Sequence, residues 1–158
     1  MDDFSAFTDA ERKLFAALNR RGIRFMLVGL SAAVLQGANT GTRDIDLWFE
    51  DTSDLRIGDA VAEADGVWVS GSFGMRPPQL GGDALGDRLD VVTHMHGLGK
   101  FADEAANALE LEIDGIPLRV LRLSRIIASK RAAGRKKDLA VIPALEEALA
   151  AIEDVHDR

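Results

Sequence analysis

Apolar residues fall into two kinds of spacing along this chain, and together they predict short strands alternating with helices. Leu14, Phe15 and Leu18 form a stripe at helical spacing. It opens on Thr8-Asp9-Ala10-Glu11, where threonine and glutamate can cap each other reciprocally, and stops at Gly22. The apolar run 24–28 predicts a strand, a turn at Gly29 leads into a helix over 31–36, and 44–50 reads as the next strand, giving a β-α-β unit. Ser53 can cap a helix carrying Leu55, Ile57, Val61 and Ala62, and 67–76 reads as two short strands with Gly71 between them. Pro77 to Asp83 (PPQLGGD) is a loop by composition. A strand over 88–94 and a helix over 101–109 follow. Leu111 to Ile113 and Ile116 to Val120 are joined by Asp114-Gly115, a preferred hairpin turn. From Ser124 the chain reads as helical in two segments split near Gly134, with Pro143 opening the last. No internal repeat or low-complexity segment interrupts this order.

Two aspartates break the hydrophobic strand Thr42 to Glu50 (TRDIDLWFE) on one face only. Side chains two apart on a strand point the same way, so Asp44 and Asp46 share a face while Ile45, Leu47 and Phe49 take the other. The spacing sets their Cα atoms roughly 6 to 7 Å apart, close enough for their oxygens to converge on a divalent cation. An isolated Asp-x-Asp is more often a solvated edge strand. Here the preceding strand ends in Gly29-Leu30-Ser31. Gly29 permits a close backbone approach, Ser31 can cap the helix, and the amides at that terminus suit a phosphate. A phosphate-binding turn beside paired carboxylates is what a magnesium-bound nucleoside triphosphate requires, because Mg²⁺ takes one or two carboxylates plus phosphate oxygens.

These residues resemble the DNA polymerase β-like nucleotidyltransferases, and within them the small bacterial proteins related to AbiEii-type toxins and minimal nucleotidyltransferase antitoxins. That family joins a Gly-Gly or Gly-Ser turn to Asp-hydrophobic-Asp, with a third acidic residue on a later strand. Gly29 to Ser31 and Asp44 to Asp46 match the first two elements. Asp90, within Arg88-Leu89-Asp90-Val91-Val92, is the best candidate for the third, with Asp87 as the fallback. The stretch Leu123 to Leu139 (LSRIIASKRAAGRKKDL) is similar to a lysine-arginine-lysine-aspartate signature of the small members, which singles out Lys130, Lys137 and Asp138. The chain departs from the pattern where Leu30 takes the second-glycine position. Thr40 stands where a basic residue often precedes the aspartates; Arg43, the substitute beside Asp44, should point to the opposite face from that aspartate.

The resemblance implies an α+β nucleotidyltransferase fold, a mixed sheet flanked by helices with a C-terminal helical segment, in one domain with its core at about 9–122 and helices over about 123–155. It also implies two-metal transfer of a nucleoside monophosphate from an NTP to a hydroxyl. Asp44, Asp46 and Asp90 would hold Mg²⁺ or Mn²⁺ ions roughly 3.5 to 4 Å apart. Asp90 would also act as general base, and Gly29, Leu30, Ser31, Lys130 and Lys137 would contact the triphosphate. RNA ends, protein hydroxyls and small molecules such as aminoglycosides are all acceptors in related proteins. The alternative is a catalytically weak or inactive binding module, such as the antitoxin of a toxin–antitoxin pair. A metal-dependent nuclease would share the carboxylates but give the glycine turn no role.

Composition narrows the classes. The chain has 158 residues, 47% hydrophobic and 28% charged, enough for a real core, and no cysteine, which removes disulfides and thiolate metal sites. Its N-terminus is acidic and polar and no run reaches membrane-span length, so the expectation is a soluble, cytoplasmic protein without a membrane partner. A net charge of −7 disfavours a generic nucleic-acid coat. Five of the eight residues from Lys130 to Lys137 are basic. On composition alone this is a solvated helix end complementing the helix dipole, and the functional alternative is a patch facing the carboxylates. His94-Met95-His96 lacks further zinc ligands, with His156 far along the chain, and reads as loop histidines. Trp48 points with the aspartates. Base stacking is open to it, though packing against a neighbouring element is the commoner use.

Overall fold

The alternation along the central strands sorts the sheet into an oily face and a face that carries the carboxylates. The computed structural model describes residues 6–42, 44–69, 71 and 78–156. Its elements are α1 (Asp9–Arg20), β1 (Phe25–Val28), α2 (Gly29–Leu35), β2 (Ile45–Phe49), α3 (Arg56–Glu63), β3 (Val67–Val69), β4 (Gln79–Gly81), β5 (Leu89–Val92), α4 (Phe101–Ala105), β6 (Leu109–Ile113), β7 (Ile116–Val120), α5 (Leu123–Ala133) and α6 (Lys136–His156). Five strands form one mixed sheet in the order β5-β2-β1-β7-β6, and β3 and β4 pair separately. In the large sheet β1 runs antiparallel to β2 and parallel to β7, while β2 runs parallel to β5.

On one face Phe25 and Leu27 lie opposite Phe49 and Leu47. Phe15 of α1 stacks on Phe25 at 6.0 Å, and Phe25 meets Phe49 at 6.1 Å. Burying side chains of this size stabilises the fold by about 1.5 to 3 kcal/mol each. Helix α3 packs beside α1, tied by Arg21 to Glu63 at 3.2 Å. The opposite face carries Met26, Val28, Asp46 and Trp48, with Phe101 of α4 packed on Trp48 and α5 standing across a cleft from Asp46. Trp48 is 2% exposed and meets the Phe101 ring edge-on at 5.6 Å, so packing is its role and its ring is not open to a base.

Local signals explain most boundaries. The Thr8–Glu11 capping box forms as the sequence predicts. Glu11, 1% exposed, then reaches across to Arg88 (2.6 and 2.7 Å) and fixes the approach to β5. The hairpin turns on Asp114 and Gly115, both at positive φ, with Ile113 opposite Ile116.

Five expectations are corrected. Val28, not Ser31, is the N-cap of α2, and the Ser31 hydroxyl donates back to the Val28 carbonyl at 3.4 Å. Helix α3 begins after Leu55, which is 90% exposed, and its first turn is held by the Asp54 carboxylate accepting from the Arg56 amide at 2.9 Å. Ser53 instead bonds Asp51. Residues 79–81 form a strand because they pair with Val67–Val69, and the second strand expected within 67–76 falls largely outside the described residues. Helix α4 stops at Ala105, since Leu109 leaves to pair with Val120. Pro143 lies inside α6, which starts a helical turn and more earlier at Lys136.

Candidate active site

The sheet register brings the carboxylates together. Val28 is opposite Asp46 on the antiparallel side, and Asp90 is opposite Asp46 on the parallel side. Neighbouring strands are about 5 Å apart, so side chains at paired positions on one face stand abreast. Gly29 follows immediately, at φ +73°, and a Cβ there would sit 2.2 Å from Asp46 Oδ2. Glycine is required at this position, because any side chain would collide with the carboxylate and also meet the left-handed backbone penalty. Asp44 stands just before β2, exposed, its carbonyl accepting from the Thr42 hydroxyl at 3.2 Å.

Electrostatics ties the three acids into one group. Burial pushes the Asp46 carboxyl up to about 6, with Asp90 and Asp44 adding to the rise and Lys130 opposing it. Partial desolvation and then Asp44 raise Asp90. Asp46 and Asp90, both raised and abreast on the sheet, are a donor pair that a cation would relieve. Among the described residues no three His, Cys, Asp or Glu side chains are gathered closely enough to hold a metal by themselves. The paired Asp46 and Asp90 nonetheless suit Mg²⁺, which completes its shell with waters and substrate phosphates rather than an all-protein cage.

Above Asp46 opens a cleft of about 220 Å³, lined on the sheet side by Gly29, Val92, His94 and His96 and on the helix side by Ser129, Lys130, Arg135 and Asp138. Helix α5 ends at Gly134 in the left-handed conformation, and α6 starts two residues later. That break turns Asp138 inward. It is 1% exposed and accepts from Lys130 Nζ at 3.3 Å, Arg135 Nε at 2.6 Å and the Arg135 amide at 3.3 Å. The last contact is half of a capping box, placing a negative charge at the start of α6. The Arg135 bond, followed by Lys130, holds Asp138 below the ordinary carboxylate range.

The structure therefore brings together Gly29, Asp46, Asp90 and Lys130, with Asp44 in electrostatic range. Leu30 is half-buried in α2, packed against the core, and Ser31 lines a different depression, with Asp44, Thr42 and Arg88. Lys137 is exposed on the first turn of α6 and does not line the cleft. Asp87 sits in the turn before β5, and Arg43 lies outside the described residues. Three cleft residues escaped the site reading of the sequence: His94, His96 and Arg135. The period-two spacing of Asp90, Val92, His94 and His96 was the available signal.

No family model and no curated protein matches the sequence. Solved structures do match. A crystal structure of ANT(2'')-Ia in complex with adenylyl-2''-tobramycin aligns with a TM-score of 0.59 at 17% identity, covering 90% of this chain and 89% of that one. A solution structure of the antibiotic-resistance factor ANT(2'')-Ia aligns at 0.50 and 19% identity, covering 94% and 95%. No helix is long and apolar enough to cross a membrane among the described residues. With its five-stranded mixed sheet, flanking helices and C-terminal helix, the chain has the nucleotidyltransferase fold.

Proposed function

We propose that this protein transfers a nucleoside monophosphate from an NTP to a hydroxyl acceptor, with divalent metal. The observation that carries the proposal is the register of Asp46 against Asp90 beside Gly29, under a cleft that also holds Lys130. Asp46 and Asp90, with Asp44, are the residues that would hold Mg²⁺ or Mn²⁺. When bound, such ions carry the triphosphate and lower the pKa of an acceptor hydroxyl.

The chain's own groups supply the rest. Gly29 leaves room for the Asp46 carboxylate at the cleft floor, and Asp138 holds Lys130 and Arg135 at its lip. Asp90, the more exposed of the paired acids and raised above the ordinary carboxylate value, is placed to take the proton from the hydroxyl. The hydroxyl oxygen forms a bond to the α-phosphorus, the bond from that phosphorus to the bridging oxygen of the β-phosphate breaks, and pyrophosphate leaves. The charge that develops there is met by Lys130. The spacing of Lys130, Lys137 and Asp138 supports kinship with the AbiEii-type and minimal nucleotidyltransferases. The adenylyl-2''-tobramycin bound by ANT(2'')-Ia makes small-molecule hydroxyls the first acceptors to try.

Incubation with α-labelled and γ-labelled triphosphates and a panel of RNA, protein and aminoglycoside acceptors tests this reading. Label should pass from the α position only, Asp90→Ala should abolish transfer, and Asp87→Ala should retain it. Transfer from the γ position would overturn the reaction, and retention by Asp90→Ala with loss in Asp87→Ala would overturn the third carboxylate. Triphosphate binding with no transfer to any acceptor would favour the binding module, in keeping with Leu30 at the second-glycine position.

A further inference from the structure

We propose that His94 and His96 form the phosphate-tail contact of the cleft, donating hydrogen bonds to the β- and γ-phosphates of the bound triphosphate. This rests on the nucleotidyl-transfer reading and adds the residues that grip its substrate. Both imidazoles line the same cleft as Asp46 and Lys130, on the strand extension that carries Asp90. Their rings stand edge-on at 5.1 Å, and both are exposed. Among the described residues neither ring makes a hydrogen bond, so their nitrogens are available to a ligand.

The need for them follows from what Asp138 does to the other cations. Lys130 and Arg135 share one buried carboxylate, at 3.3 and 2.6 Å, which leaves the trio a single surplus positive charge. A metal-bound triphosphate is still an anion, and its outer phosphates need donors beyond that surplus. The remaining side-chain nitrogens lining the cleft are those of His94 and His96. An imidazole offers an N–H donor in either protonation state, so the contact does not require a charged ring.

The wall that carries them is built, not loose. Gly97, at φ +72°, lies so close to α5 that a Cβ would come within 2.5 Å of the Ala132 Cβ. The Leu98 amide closes a turn on the Met95 carbonyl at 3.1 Å. Glu104, 8% exposed, accepts from the Gly99 amide at 3.0 Å and from Arg125 at 2.8 and 2.9 Å, pinning the end of the loop to α5. The two rings are thus presented from a fixed segment, which lowers the ordering cost of binding.

Calorimetry with the full chain separates the outcomes, using each of the four magnesium nucleoside triphosphates and magnesium tripolyphosphate as probes. The pair His94→Gln with His96→Gln keeps an N–H donor and loses the ring, while His94→Phe with His96→Phe keeps a ring and loses the donor. The phenylalanine pair should bind both kinds of probe about tenfold or more weakly, and the glutamine pair should stay within about threefold of the parent. The single phenylalanine variants give the same reading, each with a smaller loss, should the double variant melt early. Unchanged binding of both probes by the phenylalanine pair would overturn this inference alone. So would a loss confined to nucleotides in the glutamine pair, which would make the rings a base platform. If the parent binds no triphosphate, the nucleotidyl-transfer reading falls and this inference falls with it.

Discussion

Asp46 stands in an unfavourable place for an ionised group, against the backbone of Gly29 and abreast of Asp90. Its folded pKa of about 6 stands above the ordinary value of 3.8, with burial the largest cause. The folded chain therefore binds more protons than the unfolded chain between those values. By linkage this group's contribution to stability falls as pH rises from about 4 through 6, and levels off above. Asp46→Asn removes that dependence. In metal-free denaturant titrations the variant should gain stability over the parent as pH rises from 4.5 to 7.5, and a difference independent of pH would contradict the burial of this carboxylate. The sequence already put Asp44 and Asp46 on one face of a strand. It did not distinguish them, because the pairing of Asp46 with Asp90 is a long-range register that alternation within one strand does not encode.

At the scale of elements, the junction between α5 and α6 decides which basic residues matter. Lys130 and Lys137 are seven apart and would lie on one stripe of an unbroken helix. Gly134 breaks the helix in the left-handed conformation, and the phase restarts at Lys136, so Lys130 lines the cleft while Lys137 faces out. Lys130→Ala should weaken magnesium-triphosphate binding about tenfold or more, as expected for a lost charge-assisted hydrogen bond. Lys137→Ala should change it less than about twofold. Equal losses in the two variants, read by calorimetry, would contradict this geometry. Caps and turns with short-range chemistry were legible here: the Thr8–Glu11 box, the Asp114-Gly115 hairpin and the stop at Gly134. Less legible were features fixed by distant partners. Leu109 joins a strand because Val120 is there to pair with it, and Pro143 sits within a helix because Asp138 has already capped its start.

For the whole molecule, charge and topology place the chemistry. A chain of net charge −7 concentrates five basic residues in eight at the end of one helix and the start of the next, and the fold sets part of that cluster over its paired acids. The acidic strand pattern, the glycine turn and the C-terminal basic segment were each readable. For His94 and His96 the period-two spacing from Asp90 gave only their direction, and it is the packing of Gly97 on Ala132 that turns a histidine-bearing loop into a wall of the cleft. In the proposed reaction Asp46 and its neighbours hold a metal-bound triphosphate. Isothermal calorimetry of the parent chain and of Asp46→Asn, each with a nucleoside triphosphate in the presence and absence of Mg²⁺, tests this. Mg²⁺ should raise the affinity of the parent and leave that of Asp46→Asn unchanged, because replacing a charged ligand by a neutral one weakens a hard-cation site strongly. Equal affinity of the parent with and without Mg²⁺ would contradict it.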